Sequence, residues 1–160
     1  MEAKYAGSEI LQMAVEIEKH GKAFYDSVVR VMKNPQAREI FQFLSDEEER
    51  HEVIFRKMLQ EVHQKNESGY DDETVTFYFR SLIEKKVFPT SEEAESMEKD
   101  LGDPLVAIHI ALSLEKESIL FYHELLPVTN EKDHPVIDKI IDEERDHIQR
   151  ILKLKSDLQL

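Results

Sequence analysis

Two stretches of this chain carry the same four residues in the same order. Glu18, Tyr25, Glu48 and His51 form the first set; Glu115, Tyr122, Glu144 and His147 form the second. The offset is 97 residues at Glu18/Glu115 and Tyr25/Tyr122, and 96 at Glu48/Glu144 and His51/His147. A chain merely rich in glutamate does not reproduce four positions in register. Any fold it adopts must place two equivalent sets of groups, and four carboxylates with two imidazoles at these spacings form a ligand set for two metal ions.

The elements that carry this set read as helices. Only 4 glycines and 5 prolines punctuate the sequence, and no stretch alternates polar and apolar residues as a strand would. Ser8 is a suitable N-cap for a first helix running to about Met32, ahead of Asn34-Pro35. A second helix starts at Pro35, where a missing amide is harmless, and continues to about Lys65. Asn66 to Glu73 reads as a loop broken at Ser68-Gly69, followed by shorter helices over Thr74 to Lys86 and Ser91 to Lys99 with Phe88-Pro89-Thr90 between them. The third long helix has Asp103 as N-cap and Pro104 at its first position, and ends near Pro127. The fourth runs from Pro135 to about Asp157. The expected architecture is an all-α, single-domain four-helix bundle over residues 1–160, with long helices at about 8–32, 35–65, 103–126 and 135–157 and a partly helical crossover over 66–102. At about 30 residues and about 1.5 Å rise per residue, helix two is about 45 Å long, so a crossover is needed if helix three runs parallel to it.

Alternating steps of three and four residues expose the inner face of each long helix. Helix one gives Leu11, Ala14, Glu18, Gly21, Tyr25, Val28 and Met32; helix two gives Phe41, Leu44, Glu48, His51, Phe55, Met58 and Val62. Helix three gives Ile108, Ala111, Glu115, Ser118, Tyr122 and Leu125, and helix four gives Ile137, Ile140, Glu144, His147, Ile151, Leu154 and Leu158. In each case polar residues interrupt an apolar seam at mid-helix, so all six candidate ligands face the interior.

Inward placement turns spacing into chemistry. A buried ionised carboxylate is strongly disfavoured unless paired or bound to metal, and four converging carboxylates also repel one another. Two divalent cations against four carboxylates and two neutral imidazoles give a formally neutral set. Glu-x-x-His places both side chains on one helical face, one turn apart. Gly21 and Ser118, at the matching inward positions of helices one and three, leave room for metal, solvent or substrate. Tyr25 and Tyr122 lie two turns beyond Glu18 and Glu115, where they read equally as hydrogen-bond donors to a ligand carboxylate or as core tyrosines with a polar partner. Glu47 and Glu143 precede the histidines by four residues, where they would orient an imidazole or, the favoured reading, belong to a solvated helix face. His20, His63, His109, His123 and His134 have no partners in the repeat and read as structural or surface residues.

Composition narrows the class. A length of 160 residues suits one domain, and no run reaches the roughly eighteen apolar residues of a membrane span. The start, MEAKYAGSEI, lacks the basic and apolar regions of a secretory signal, so a cytoplasmic protein beginning here is expected. The absence of cysteine removes disulfides, thiolate sites and a cysteine nucleophile from this polypeptide and leaves metal binding to oxygen and nitrogen. A net charge of -13 with no basic stripe argues against nucleic acid and anionic membranes as partners.

Taken together, EKHGKAFY from Glu18 to Tyr25, EEERH from Glu47 to His51, EKESILFY from Glu115 to Tyr122 and DEERDH from Asp142 to His147 resemble the ferritin-like di-iron carboxylate proteins, in which two helices each give one Glu and two give Glu-x-x-His. Within that superfamily the chain is most similar to the rubrerythrin group, over about Ser8 to Leu158. The resemblance implies that Glu48 and Glu144 bridge two metals, that Glu18 and Glu115 bind at the ends, and that His51 and His147 each bind one. It implies two iron ions, with manganese or zinc also compatible with the ligand types, and a homodimer. Two departures qualify it. Peroxidase rubrerythrins carry a further Glu one turn after the solitary one of helix three, a ligand that exchanges with a histidine as the iron changes oxidation state; here that position is Ser118. They also carry a rubredoxin-like four-cysteine iron domain, so electrons here would come from a separate donor protein. The implied function is reduction of hydrogen peroxide or oxygen. Iron binding or buffering without significant turnover, or a structural metal-binding bundle, are the alternatives. A storage cage is disfavoured, because a ferritin subunit adds a fifth helix and the residues after His147 read as a continuation of helix four.

Overall fold

Asn34 turns the chain between its first two helices. In the computed structural model, which describes residues 8–64, 73–84 and 91–160, α1 spans Ser8–Val31 and α2 spans Pro35–Gln64. The Asn34 side chain accepts a hydrogen bond from the Ala37 amide at 2.9 Å, satisfying one of the donors that open α2, while Pro35 supplies a position that needs none. Such a short connection makes α1 and α2 an antiparallel pair. Two shorter helices follow, α3 (Glu73–Glu84) and α4 (Ser91–Leu101), and then α5 (Pro104–Leu125) and α6 (His134–Asp157). Asp103 caps α5 as its sequence position predicts, accepting from the Leu105 amide at 2.9 Å with Pro104 at the first turn.

The expected order of elements is borne out, with local differences in the bounds. Helix α5 stops at Leu125, and Pro127 sits within a 3-10 turn over Leu126–Val128; a second 3-10 turn covers Glu131–Asp133. Helix α6 opens at His134, one residue before Pro135, because the turn over Glu131–Asp133 runs directly into it. The crossover holds both shorter helices, shifted to Glu73–Glu84 and Ser91–Leu101. The expected Phe88-Pro89-Thr90 break, and the Asn66–Glu73 loop except Glu73 itself, fall outside the described residues.

Core composition fixes the relative directions of the helices. One apolar cluster joins Ile10 to Ile17 at the start of α1 with Phe55, Met58 and Leu59 near the end of α2, Phe121 to Leu125 at the end of α5, and Ile137 to Ile141 at the start of α6. The other joins Phe24 to Met32 with Phe41 and Leu44, Ala107 to Leu114, and Ile151 and Leu154. Helix α1 therefore runs antiparallel to α2 and α5 and parallel to α6, and α5 runs parallel to α2, the arrangement that the crossover serves. Phe79 of α3, 2 % exposed, packs edge-on against Phe121 at 5.3 Å and ties the crossover to the first cluster. Every residue of the four expected inner faces is buried except Val62 and Leu158, which lie near helix ends and are partly buried. Among the described residues, no helix is long and apolar enough to cross a membrane.

Candidate metal centre

Between the two apolar clusters lies one polar layer. It holds Glu18 of α1, Glu48 and His51 of α2, Glu115 of α5, and Glu144 and His147 of α6, the most exposed of them being Glu48 at 5 %. Helical periodicity explains the layer, since each residue continues an apolar seam and therefore cannot turn to solvent. Gly21 is required locally: a Cβ there would lie 3.0 Å from both Cδ and Oε2 of Glu48, so the missing side chain is the space that carboxylate occupies. Ser118 is buried at the equivalent position of α5.

The tyrosines cross between the two halves of the repeat. Tyr25 of α1 donates to Glu115 Oε1 of α5, and Tyr122 of α5 donates to Glu18 Oε1 of α1. Each end carboxylate thus has one oxygen pinned by a phenol and the other directed at the centre. Glu144 is divided between the imidazoles, with Oε1 at 3.0 Å from His51 Nδ1 and Oε2 at 3.0 Å from His147 Nδ1. The rings are stacked, centroids 5.8 Å apart and 22° from parallel. His147 Nδ1 also lies 3.3 Å from Glu115 Oε2, and His51 Nδ1 lies 3.6 Å from Glu18 Oε2.

Among the described residues, four buried side-chain atoms lack a hydrogen-bond partner: Glu18 Oε2, His51 Nδ1, Glu144 Oε1 and His147 Nε2. The contact of His51 with Glu144 is close but not aligned as a hydrogen bond, which is why both atoms belong to this group. Unsatisfied buried polar atoms each cost about 1–3 kcal/mol, more when charged, and here three of the four converge. Two groups of four residues have ligand atoms within 4.8 Å of one another: Glu18, Glu48, His51 and Glu144, and Glu48, Glu115, Glu144 and His147. Glu48 and Glu144 belong to both. The donors are carboxylate oxygen and imidazole nitrogen, the set that suits iron, manganese and zinc, and the residues present fit a pair of metal ions.

Charge among these groups is balanced by protons. Burial and the neighbouring Glu18 and Glu144 carboxylates hold the Glu48 carboxyl far above the usual carboxylate range. Burial and Glu144 push Glu115 up to about 8. Burial opposes charge on the imidazoles, but their carboxylate partners outweigh it: Glu144 and Glu18 raise His51 to about 11, and Glu115 and Glu144 raise His147 to about 10. Burial likewise opposes charge on Glu144, yet the neighbouring Glu115 carboxyl and the two facing imidazoles hold it well below the usual range. Burial and the adjacent carboxylates keep both tyrosines protonated well beyond the normal phenol range.

Glu47 and Glu143 depart from the solvated-face expectation. Both side chains are only 23 % exposed and both are bound by Arg50, at 2.7 and 2.8 Å. Glu143 Oε2 sits 3.0 Å from His51 Nε2. Solvation fails because α2 and α6 approach closely enough to trap the two carboxylates around one guanidinium. The signal was present in the sequence: Glu47 and Glu143 are themselves 96 residues apart, in register with the repeat. By contrast His20, His63, His109 and His123 are exposed, and His134 lies partly buried beside Thr129 O at 3.3 Å, away from the centre as expected.

Residues 9–155 match the family model described as rubrerythrin. Among solved structures, a Thermotoga maritima protein provisionally assigned as a ferritin-like diiron-carboxylate protein is 27 % identical, with a TM-score of 0.68 over 96 % of this chain and 97 % of that one. No curated protein matches the sequence.

Proposed function

This chain belongs to the rubrerythrin family, and from that premise we propose that it is a non-haem di-iron oxidoreductase that reduces hydrogen peroxide or oxygen with electrons from a separate donor. Its all-α fold is ferritin-like, as expected. One observation carries the metal reading: Glu48 and Glu144 are shared by two buried ligand groups whose remaining members differ. Glu18, Glu48, His51 and Glu144 would hold one ion, and Glu48, Glu115, Glu144 and His147 would hold the other. When bound, the iron pair supplies the change of oxidation state and the Lewis acidity that side chains lack.

The chain's own groups set the conditions for that chemistry. Tyr25 and Tyr122 restrict the rotation of the end carboxylates and hold a proton at each phenol oxygen, next to the centre. Phe55, stacked on Tyr122 at 5.0 Å, and Phe41, stacked on Tyr25 at 6.0 Å, wall the layer above and below and keep bulk water out. Low local dielectric strengthens every charge interaction inside. These 160 residues contain no cysteine to hold a four-thiolate iron, so in this reading reducing equivalents reach the centre from outside them.

Ser118 favours a second reading. With a buried hydroxyl one turn beyond Glu115 instead of a fifth carboxylate, iron binding without appreciable turnover is the alternative. Stopped-flow mixing of the di-ferrous protein with peroxide, and separately with oxygen, distinguishes the two. Oxidation faster than that of free Fe(II), repeated on addition of a reductant, is the expected result; a rate no greater than that of free Fe(II) leaves only the binding role. Gel filtration addresses assembly, with a dimer expected and a cage-sized species reviving storage.

A further inference from the structure

The two imidazoles hold equivalent places in the repeat but have different outer partners. His51 Nε2 lies 3.0 Å from Glu143 Oε2, whose carboxylate Arg50 holds at 2.8 Å. His147 Nε2 lies 3.9 Å from Glu47 Oε2, beyond hydrogen-bond range, and is one of the buried atoms with no hydrogen-bond partner. Arg50 accounts for the difference. It grips Glu47 with two bonds, Nε to Oε1 at 3.2 Å and Nη2 to Oε2 at 2.7 Å, and this fork holds Glu47 off the second imidazole. The repeat provides no counterpart: the residue 96 positions after Arg50 is Asp146, which pairs with Arg150 on the surface at 2.6 Å.

An imidazole that donates its Nε2 proton to a fixed carboxylate is locked in orientation and presents Nδ1 as its ligand atom. On this side Nδ1 meets Glu18 Oε2 and Glu144 Oε1, and all three atoms are free of hydrogen bonds. On the other side His147 Nδ1 is engaged by Glu115 Oε2 and Glu144 Oε2 at 3.3 and 3.0 Å. Those contacts must break before the same atoms ligate a metal, and the ring that has to move has no hydrogen-bond partner at Nε2.

We propose that Glu143 and Arg50 are positioning residues that fix His51 and make the two metal positions inequivalent, the first ion binding on the Glu18–His51 side and the second on the Glu115–His147 side. The inference rests on the two-metal reading given above.

Anaerobic calorimetric titration with Fe(II) tests it without recourse to activity. The wild-type protein takes up two ions in two resolved steps, and a crystal loaded with one equivalent gives its main anomalous peak beside Glu18 and His51. Glu143→Ala weakens the first step by about 10–100-fold, Glu143→Gln, which keeps an acceptor, recovers most of that loss, and Glu47→Ala leaves the first step unchanged. Arg50→Gln, which releases both carboxylates, narrows the gap between the steps. No uptake by the wild type defeats the two-metal reading itself. Two ions bound in indistinguishable steps leave that reading standing and overturn this inference, as do equal effects of Glu143→Ala and Glu47→Ala or an unchanged gap in Arg50→Gln. Circular dichroism of each variant separates lost positioning from lost folding.

Discussion

Replacing Gly21 with alanine sets two physical effects against each other. Alanine is favoured over glycine in a helix interior by about 0.8–1.0 kcal/mol, but the new Cβ would stand 3.0 Å from the end of the Glu48 side chain. A flexible carboxylate can swing away at little cost to the fold, and cannot do so without leaving the centre. Gly21→Ala is therefore expected to unfold at the same temperature as the wild type or slightly higher when metal-free, while binding Fe(II) more weakly; unchanged affinity would contradict the placement of Glu48. Tyr122→Phe removes the donor to Glu18, and a 10–100-fold fall in affinity, typical of losing a ligand's outer partner, is expected in the same titration. Protons provide a further test at this scale. In the metal-free protein Glu115 titrates at about 8 and the imidazoles at about 11 and 10, so at neutral pH all three hold protons that a metal must displace. Affinity accordingly rises with pH and falls in acid, and titration in buffers of differing ionisation enthalpy should show net proton release; binding without it would contradict the charge balance. The six centre residues were legible because their offset and their place in an apolar seam are both written in the chain. Which carboxylate each tyrosine reaches was not, because Tyr25 and Tyr122 bond across the bundle and that depends on how α1 packs on α5.

At the scale of elements, both crossover helices dock on the bundle, α3 through Phe79 with Val75, Leu82 and Ile83 beside it, and α4 through Leu101. Phe79 is buried against Phe121, whereas its neighbour Phe77 is 73 % exposed. Phe79→Ala should cost about 3–5 kcal/mol in urea unfolding, as for other buried phenylalanines, and Phe77→Ala should stay within about 0.5 kcal/mol; equal effects would mean that α3 does not dock as described. The long helices were readable from their proline and asparagine punctuation, and Asn34 and Asp103 act as caps where their positions suggest. Bounds were less readable where tertiary contacts compete with local signals, as between α5 and α6, where two 3-10 turns replace a simple stop at Pro127. The Glu47–Arg50–Glu143 cluster escaped sequence reasoning for a related reason. A charged residue on an outer helical position reads as solvated until the neighbouring helix is known to cover it.

For the whole molecule, the central layer of acids and imidazoles lies between two apolar clusters, and the fold holds these groups together by mutual proton sharing. Ions that bind only the folded state add stability by mass action, about 2.7 kcal/mol at a hundredfold excess over Kd for one site. For a chain of this size that is a rise of roughly 5–11 °C in Tm, so chelation should lower Tm by at least that much; a Tm indifferent to chelator would show that metal does not bind the folded protein. The most direct test is anomalous diffraction at the iron edge from crystals fully loaded with Fe(II). Two peaks are expected, one bounded by Glu18 and His51, the other by Glu115 and His147, with Glu48 and Glu144 touching both. No peak in this layer, or a single ion bound outside it between Glu47 and Glu143, would contradict the account.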